Sequence, residues 1–460
     1  MFDPEVYQRR RDGLRQKLEG DRGLVLLPGN GESPVNYEDN AYPFRQDSTF
    51  LYYFGLDQPD LAAVLDLDSG AATLFGDDPT VEQIVWTGEV PRLADRGAAV
   101  GVSDIKPRGA LGDVVSAATS AGRNVHYLPP YRADIILLLA RLLNMAPDQV
   151  RDRTSIELVR AVVDQRARKG PEEIAEMESA VEVSVAMHQA ALELAAPGVT
   201  ELQIAAEVER IAREAGGRLA YPAIATINGQ TLHNHSYHSN LSDGDVFLLD
   251  TGAETATGYA ADLTSSFPAS PRFTDRQRAV YQVLLDAYDA AVAAIAPGVR
   301  YRDVHLECSR VIFDGLSGLG LTRGDTDEAV AAGAHALFFP HGLGHMIGLD
   351  VHDMENLGED LVGYAGEQRS TQFGLRSLRL ARALESGFTL TVEPGIYFIP
   401  QLIDDWKGRG HCAEFIDYDE LQHWRDFGGM RNEEDFLVTD DGARRLGPRK
   451  PQTIQELERG

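Results

Sequence analysis

The tetrapeptide Ala-Pro-Gly-Val occurs twice, at 196–199 and at 296–299, and each copy stands between two stretches of helical character. Residues 171–195 and 275–295 lead into the two copies, and a second amphipathic run follows each. Gly170-Pro171-Glu172-Glu173 reads as a helix start, with proline in the first turn and acids where the helix dipole favours them. Thr200 with Gln203, and Thr274 with Gln277, have capping-box spacing. Two like units about 100 residues apart predict a duplicated half-domain with a pseudo-twofold axis. Pro-Gly after a helix is common on its own, so the duplication rests on only two instances.

The part before this repeat has a different texture. GLVLLPGN (23–30) and LAAVLDLDSGAATLFGD (61–77) read as buried strands with turns at Gly and Asp. TFLYYFGL (49–56) is β-branched and aromatic, and RADIILLLARLLN (132–144) reads as a helix. These runs predict a compact α/β domain without a catalytic cluster. The chain turns rich in Arg and Glu over 153–172, which places a boundary near 155–165 and gives domains 1–158 and 159–460.

The informative side chains lie between 233 and 435, where five short strand-like segments each carry a candidate ligand. Asp245-Val-Phe-Leu-Leu-Asp250 brings a carboxylate to a strand end, and Gly258-Tyr-Ala-Ala-Asp262 follows after small and polar residues. A hairpin there would set Asp250 and Asp262 face to face, a repulsive pair without a cation between them. Phe339-Pro-His341-Gly-Leu-Gly-His345 continues to His352 and Asp353, with glycines that argue against a helix. In an extended chain His341 and His345 share a face and His352 points away unless a turn intervenes. Phe388-Thr-Leu-Thr-Val-Glu393 ends at Pro-Gly, and Arg431-Asn-Glu433-Glu434-Asp435 puts Glu433 on one strand face with Arg431 and Asp435.

Each segment alone has an ordinary structural explanation. Together they offer four carboxylates, whose charge matches two divalent cations, and at least one imidazole. Oxygen-rich ligation with one or two nitrogens suits Mn²⁺, Co²⁺, Fe²⁺ or Zn²⁺ better than a thiolate-type structural zinc.

Composition narrows the partners. With 43 Lys+Arg against 71 Asp+Glu the formal net charge is −28, so a phosphate backbone meets repulsion and no nucleic-acid partner is expected. No run is long and apolar enough for a membrane span, and MFDPEVYQRRRDGLRQKLEGD lacks an apolar signal core. Cys308 and Cys412, without metal-type spacing, read as reduced thiols of a cytoplasmic protein.

LLDTGAETATGYAADLTSSFP, FFPHGLGHMIGLDVHD, LTVEPGIYF and FGGMRNEEDFLV stand in the order found in the pita-bread metallopeptidases. Within these the chain resembles the Xaa-Pro group, prolidase and aminopeptidase P, and YPFRQDSTFLYYFGLDQPD (42–60) resembles the start of that group's N-terminal domain. The resemblance implies an α/β N-terminal domain followed by an α+β pita-bread catalytic domain. It implies that Asp250, Asp262, His345, Glu393 and Glu433 hold two divalent ions, with Mn²⁺ the first expectation. Asp262 and Glu433 would bridge them, Asp250 would chelate one, and His345 with Glu393 would complete the other. His233, His341 and His352 match histidines that orient substrate and move protons, and Arg431 matches an arginine that steadies a ligand carboxylate. His235 and His238 have no firm counterpart and read as surface or pocket-rim residues. Glu393 would take the proton from the attacking water, and His352 would help stabilise the oxyanion.

Two features favour prolidase. The insertion 399–427 is long, and Arg379 in Arg376-Ser-Leu-Arg379 matches the arginine implied to grip a free proline carboxylate. The expected substrates are small peptides with proline second, and a homodimer is implied. Asn432 stands where the family carries an apolar residue, and its side chain should point away from the metals. An aminopeptidase P acting on longer peptides is the second reading. A non-catalytic binding protein on the same scaffold, a creatinase-like hydrolase and a methionine aminopeptidase are more distant.

Overall fold

The computed structural model describes residues 1–37 and 39–459. The chain divides into two compact units, Met1–Arg166 with Met354–Gly358, and Ala167–Asp353 with everything from Glu359 onward. The expected boundary at 158 lies inside the helix Ile156–Ala167.

A mixed five-stranded sheet forms the first unit, in the order Asp104–Lys106, Ala72–Phe75, Ala62–Asp66, Leu24–Pro28, Val125–His126. The expected hairpin turns at Asp66, whose carboxylate takes the Asp68 and Ser69 N–H groups, and at Gly70, which holds φ +75°. Leu26, Val64 and Phe75 of the sheet pack with Val115 and Leu139 from the helices Leu111–Ser120 and Ala133–Leu142. Burying each such side chain contributes roughly 1.5–3 kcal/mol. The β-branched and aromatic run at 49–56 is a helix, Ser48–Phe54. Asp47 caps it by accepting Phe50 N–H at 2.9 Å, and Gly55 ends it in the left-handed region. All seven of its residues are buried, so packing overrides the strand preference of the composition.

In the second unit the duplication reappears as a repeated set of hydrogen bonds. The helices Pro171–Leu194 and Glu201–Glu214 flank the first Ala-Pro-Gly-Val, and Asp275–Ala294 and Tyr301–Gly318 flank the second. Gly198 (φ +94°) donates to Leu241 O, and Gly298 (φ +84°) to Leu384 O, both at 2.8 Å. Leu241 and Leu384 return bonds to Val199 O and Val299 O, again at 2.8 Å. Glu201 N–H then reaches Ser239 O at 3.1 Å, and Tyr301 N–H reaches Arg382 O at 3.0 Å. The capping boxes at Thr200 and Thr274 form as spaced.

Two antiparallel sheets carry the site. One runs Thr264–Pro268, Val246–Asp250, Ile224–Thr226, and the other runs Thr389–Val392, Glu434–Val438, Ala443–Arg445. A bridge between Thr264 and Glu433 joins them. Within the insertion 399–427, Pro400–Arg409 is helical, with proline at its start and Gly410 closing it in the left-handed region. No helix among the described residues is long and apolar enough to cross a membrane. Both cysteines are buried and free.

Candidate metal centre

Asp250 ends its strand as expected, but its neighbour across the ladder is Thr264, not Asp262. The expected hairpin forms, with Thr251 N–H on Leu263 O at 3.0 Å, Ala261 N–H on Ala253 O at 2.9 Å and a bridge between Glu254 and Ala260, but its turn at 255–259 sets a different register. Asp262 therefore falls two residues before the paired register. The two carboxylates meet through a third residue. Tyr221 Oη lies 2.7 Å from Asp250 Oδ1 and also bonds Asp262 Oδ1. One phenolic hydrogen cannot serve both acceptors at once, so the pair requires further positive charge or a proton.

The segment from His341 to Asp353 is irregular, and the turn that sequence reasoning left open is present. Asp353 N–H bonds Met346 O at 2.9 Å, folding His352 back onto His345 with ring centroids 4.1 Å apart. Gly348 permits this, since a Cβ there would stand 2.6 Å from Asp353 Oδ2 and 2.8 Å from Lys169 Cε. His345 Nδ1 bonds Met346 O at 3.1 Å, which turns Nε2 toward Asp262 Oδ2 at 3.3 Å and Glu393 Oε1 at 3.9 Å. A second-nitrogen bond to a carbonyl is the usual way an imidazole ligand is oriented.

Glu393 follows the strand Thr389–Val392, and its N–H is held by Leu343 O at 2.8 Å. The last segment is split. Gly429–Arg431 pairs with Gly395–Tyr397, whereas Glu434–Val438 pairs with Thr389–Val392. Asn432 and Glu433 lie between the two strands. Glu433 Oε2 accepts from Thr264 Oγ1 at 2.6 Å, and Asp435 Oδ2 accepts Asp262 N–H at 3.0 Å. Glu434, on the other face, bonds Tyr288 and, at 2.8 Å, Arg445. Asn432 points away from the cluster, to Gln452 at 3.2 Å and Lys450 at 2.5 Å. Arg431 reaches Thr264 at 3.1 Å, Tyr397 at 2.8 Å and the Asp250 carboxylate.

All ten candidates, His233, Asp250, Asp262, His341, His345, His352, Arg379, Glu393, Arg431 and Glu433, line one cavity of about 380 Å³. His235 joins them on its wall. Burial and mutual repulsion raise the Asp250 and Glu433 carboxyls, and burial pushes Glu393 up to about 7. Burial opposes charge on His345, but Asp262 and Glu393 prevail and bring it to about 9. His341 is held neutral, at about 3, by burial and by Arg431. Its Nδ1 meets Gly342 O at 2.8 Å and its Nε2 meets Tyr397 Oη at 2.9 Å. Arg379 Nη1 lies 3.1 Å from Glu359 Oε1.

Donor atoms of Asp262, His345 and Glu433 all lie within 4.8 Å of one another, a spacing that fits a metal ion. Among the described residues, buried Asp435 Oδ1 has no hydrogen-bond partner beside them. This donor set, with its acids crowded around the Arg431 guanidinium, fits divalent cations. Tyr221, Thr264 and Asp435 were not assigned roles from sequence; only the face shared by Glu433 and Asp435 was legible.

Residues 175–440 match metallopeptidase family M24, and residues 7–126 match the aminopeptidase P N-terminal domain. The human Xaa-Pro dipeptidase is 32% identical over 98% of this chain and 91% of its own length. The Xaa-Pro aminopeptidase of Escherichia coli K12 is 30% identical over 98% and 97%. Among solved structures, aminopeptidase PepP of Pseudomonas aeruginosa superposes with a TM-score of 0.81 at 30% identity, covering 100% of this chain and 98% of that one. Zinc-substituted E. coli aminopeptidase P with bound product gives the same TM-score and coverage at 28% identity.

Proposed function

The chain belongs to metallopeptidase family M24, and on that premise we propose that it is a Xaa-Pro dipeptidase, cleaving small peptides whose second residue is proline. Asp250, Asp262, His345, Glu393 and Glu433 would hold two divalent cations, with Mn²⁺ proposed as the native ion. When bound, such ions lower the pKa of water toward neutrality and polarise a carbonyl oxygen. The chain's own residues supply the rest. Glu393 takes the proton from the attacking water, since its carboxyl faces the cavity 3.6 Å from His341 Nδ1. His352, folded onto His345, donates toward the substrate carbonyl oxygen as charge develops there. Arg431 fixes Asp250, and His341, held neutral by burial and by Arg431 and oriented by Gly342 and Tyr397, presents an uncharged wall beside Glu393. Proline has no amide hydrogen and a fixed φ, which gives a dedicated enzyme its reason to exist.

The dipeptidase reading is carried by Arg379, whose guanidinium stands on the wall of the cavity that holds the acids. It would receive the free carboxylate of the proline. The Glu359 contact favours the second reading, an aminopeptidase P, because it occupies part of that guanidinium. Rates on Ala-Pro and Ala-Pro-Ala with manganese decide between them. Fast dipeptide cleavage supports the first, and tripeptide cleavage with an inert dipeptide supports the second. Loss of both by Asp262→Ala assigns them to this site. A cytoplasmic homodimer completes the proposal, the first supported by two unpaired cysteines and the second by family resemblance.

A further inference from the structure

Glu201 is 1% exposed, and no basic side chain among the described residues pairs with it. Its carboxylate takes three hydrogen bonds from the approach to one loop and its far end. Oε1 accepts from Thr226 Oγ1 and Ile227 N–H, both at 3.0 Å, and Oε2 accepts from Ser239 N–H at 2.9 Å. The segment 227–239 leaves the strand Ile224–Thr226 and carries Leu232, His233 and His235 into the cavity wall. A single carboxylate therefore closes both ends of the loop that bears His233.

The bonding reaches further than the loop ends. A carboxylate only accepts, so the one hydrogen of the Thr226 hydroxyl goes to Glu201. Its oxygen is then left to accept, and it receives Asn228 N–H at 2.9 Å and Asn234 Nδ2 at 3.0 Å. Asn234 directly follows His233, and its Oδ1 holds Ser236 N–H at 3.1 Å. Two hydrogen bonds thus connect Glu201 to the residue beside the site histidine.

The other half-domain has the same device with the opposite polarity. Tyr301 occupies the place of Glu201, as first residue of the second helix. Its hydroxyl donates to Thr391 O at 2.5 Å, and Thr391 brackets His345 by bonds to that residue's O and N at 3.0 and 3.2 Å. Tyrosine answers a carbonyl, whereas glutamate answers N–H and O–H donors. In both halves this one position braces a segment carrying a cavity histidine.

We propose that Glu201 is a positioning residue for the reaction, clamping the 227–239 loop so that His233 and its neighbours keep a fixed place in the cavity wall. This rests on the peptidase reading above. The test compares Glu201→Ala and Glu201→Gln with the natural protein, all loaded with manganese, by hydrolysis of Ala-Pro and Ala-Pro-Ala and by amide hydrogen exchange over 227–239. The amide of Gln keeps one acceptor oxygen and sets an NH₂ against one donor, so it releases part of the clamp without emptying the site.

Glu201→Ala is expected to lose about 10²-fold in kcat/KM, the scale of a small misplacement of a catalytic group. Exchange over 227–239 should accelerate while metal content stays at the natural level. In a His233→Ala background the same change should cost less than about threefold, because its effect passes through a group already removed. An undiminished loss in that background overturns the proposal, as does unchanged kcat/KM in folded protein. If Glu201→Ala does not fold, Glu201→Gln is judged by the same criteria. Should the natural protein cleave neither peptide, the peptidase reading fails by itself, and exchange alone judges the clamp. Retained protection in Glu201→Gln then overturns it.

Discussion

Lys169 Nζ stands 2.8 Å from Asp353 Oδ2, and neither side chain is more than 1% exposed. The pair anchors the turn that folds His352 onto His345, since Asp353 also holds Met346 O through its own N–H. Lys169→Met would leave a buried carboxylate without its cation, at a cost of about 3–5 kcal/mol. The expected result is a lower unfolding midpoint together with a fall in kcat for Ala-Pro. Adding Asp353→Leu should restore much of the stability but not kcat, because the anchor for the turn is still missing. Denaturant melts and steady-state rates check both halves, and full kinetic recovery in the double variant would break the link to His352.

Tyr221→Phe removes the hydroxyl shared by Asp250 and Asp262 while keeping the ring. The carboxylates then face each other without that donor. Disturbing an outer partner of metal ligands typically costs 10–100-fold in affinity or activity, so manganese affinity should fall by about that factor. Titration of metal-stripped protein with manganese measures it. Natural affinity in the variant would mean that the hydroxyl is a bystander.

Asp250 and Glu393 are legible because each ends an apolar run, where a charged residue has no ordinary place, whereas Asp262 and Glu433 are legible from the order of the motifs. Sequence reasoning could not find Tyr221, whose importance arises only where two strands converge on it. Lys169 and Asp353 are 184 residues apart, beyond the reach of any local pattern. Glu201 was hidden inside the capping box of Thr200 and Gln203, which explained the segment well enough alone. The Asp250–Asp262 pairing is not formed because the hairpin turns at 255–259 and sets Asp250 opposite Thr264, and 49–56 is helical because its caps and full burial outweigh the strand preference of its aromatic residues.

Metal removal should have a proton signature. Glu393, raised to about 7, and His345, at about 9, keep protons in the metal-free cavity that cations must expel, and burial and repulsion shift Glu433 and Asp250 upward as well. Proton release on adding manganese should therefore be larger at pH 6 than at pH 8, because Glu393 is mostly deprotonated by pH 8. Calorimetry in buffers of different ionisation enthalpy reports the number. Equal or zero release at both values would contradict the charge crowding.

Glu359→Gln tests what Arg379 does. Removing the negative charge weakens the 3.1 Å contact that competes with a substrate carboxylate for Nη1. If Arg379 receives a proline carboxylate, KM for Ala-Pro should fall several-fold while KM for Ala-Pro-Ala moves less. Arg379→Ala should do the reverse, raising KM for the dipeptide most. Parallel changes on both substrates would remove Arg379 from substrate selection.

His335 offers a pH test outside the metal cluster. Its ring is buried, both nitrogens lack a hydrogen-bond partner among the described residues, and burial pushes it down to about 4 from an ordinary 6.5. The folded protein keeps it neutral, whereas the unfolded chain protonates it below pH 6.5. The native state then binds fewer protons, so stability must fall as pH falls. The contribution is complete above pH 6.5 and is lost on the way down to about pH 4, at roughly 1.4 kcal/mol per pH unit. His335→Phe should therefore lose about 3 kcal/mol less than the natural protein between pH 7 and pH 4. Denaturant melts across that range give the difference directly. Curves that stay parallel would show that the folded protein takes up the proton without strain.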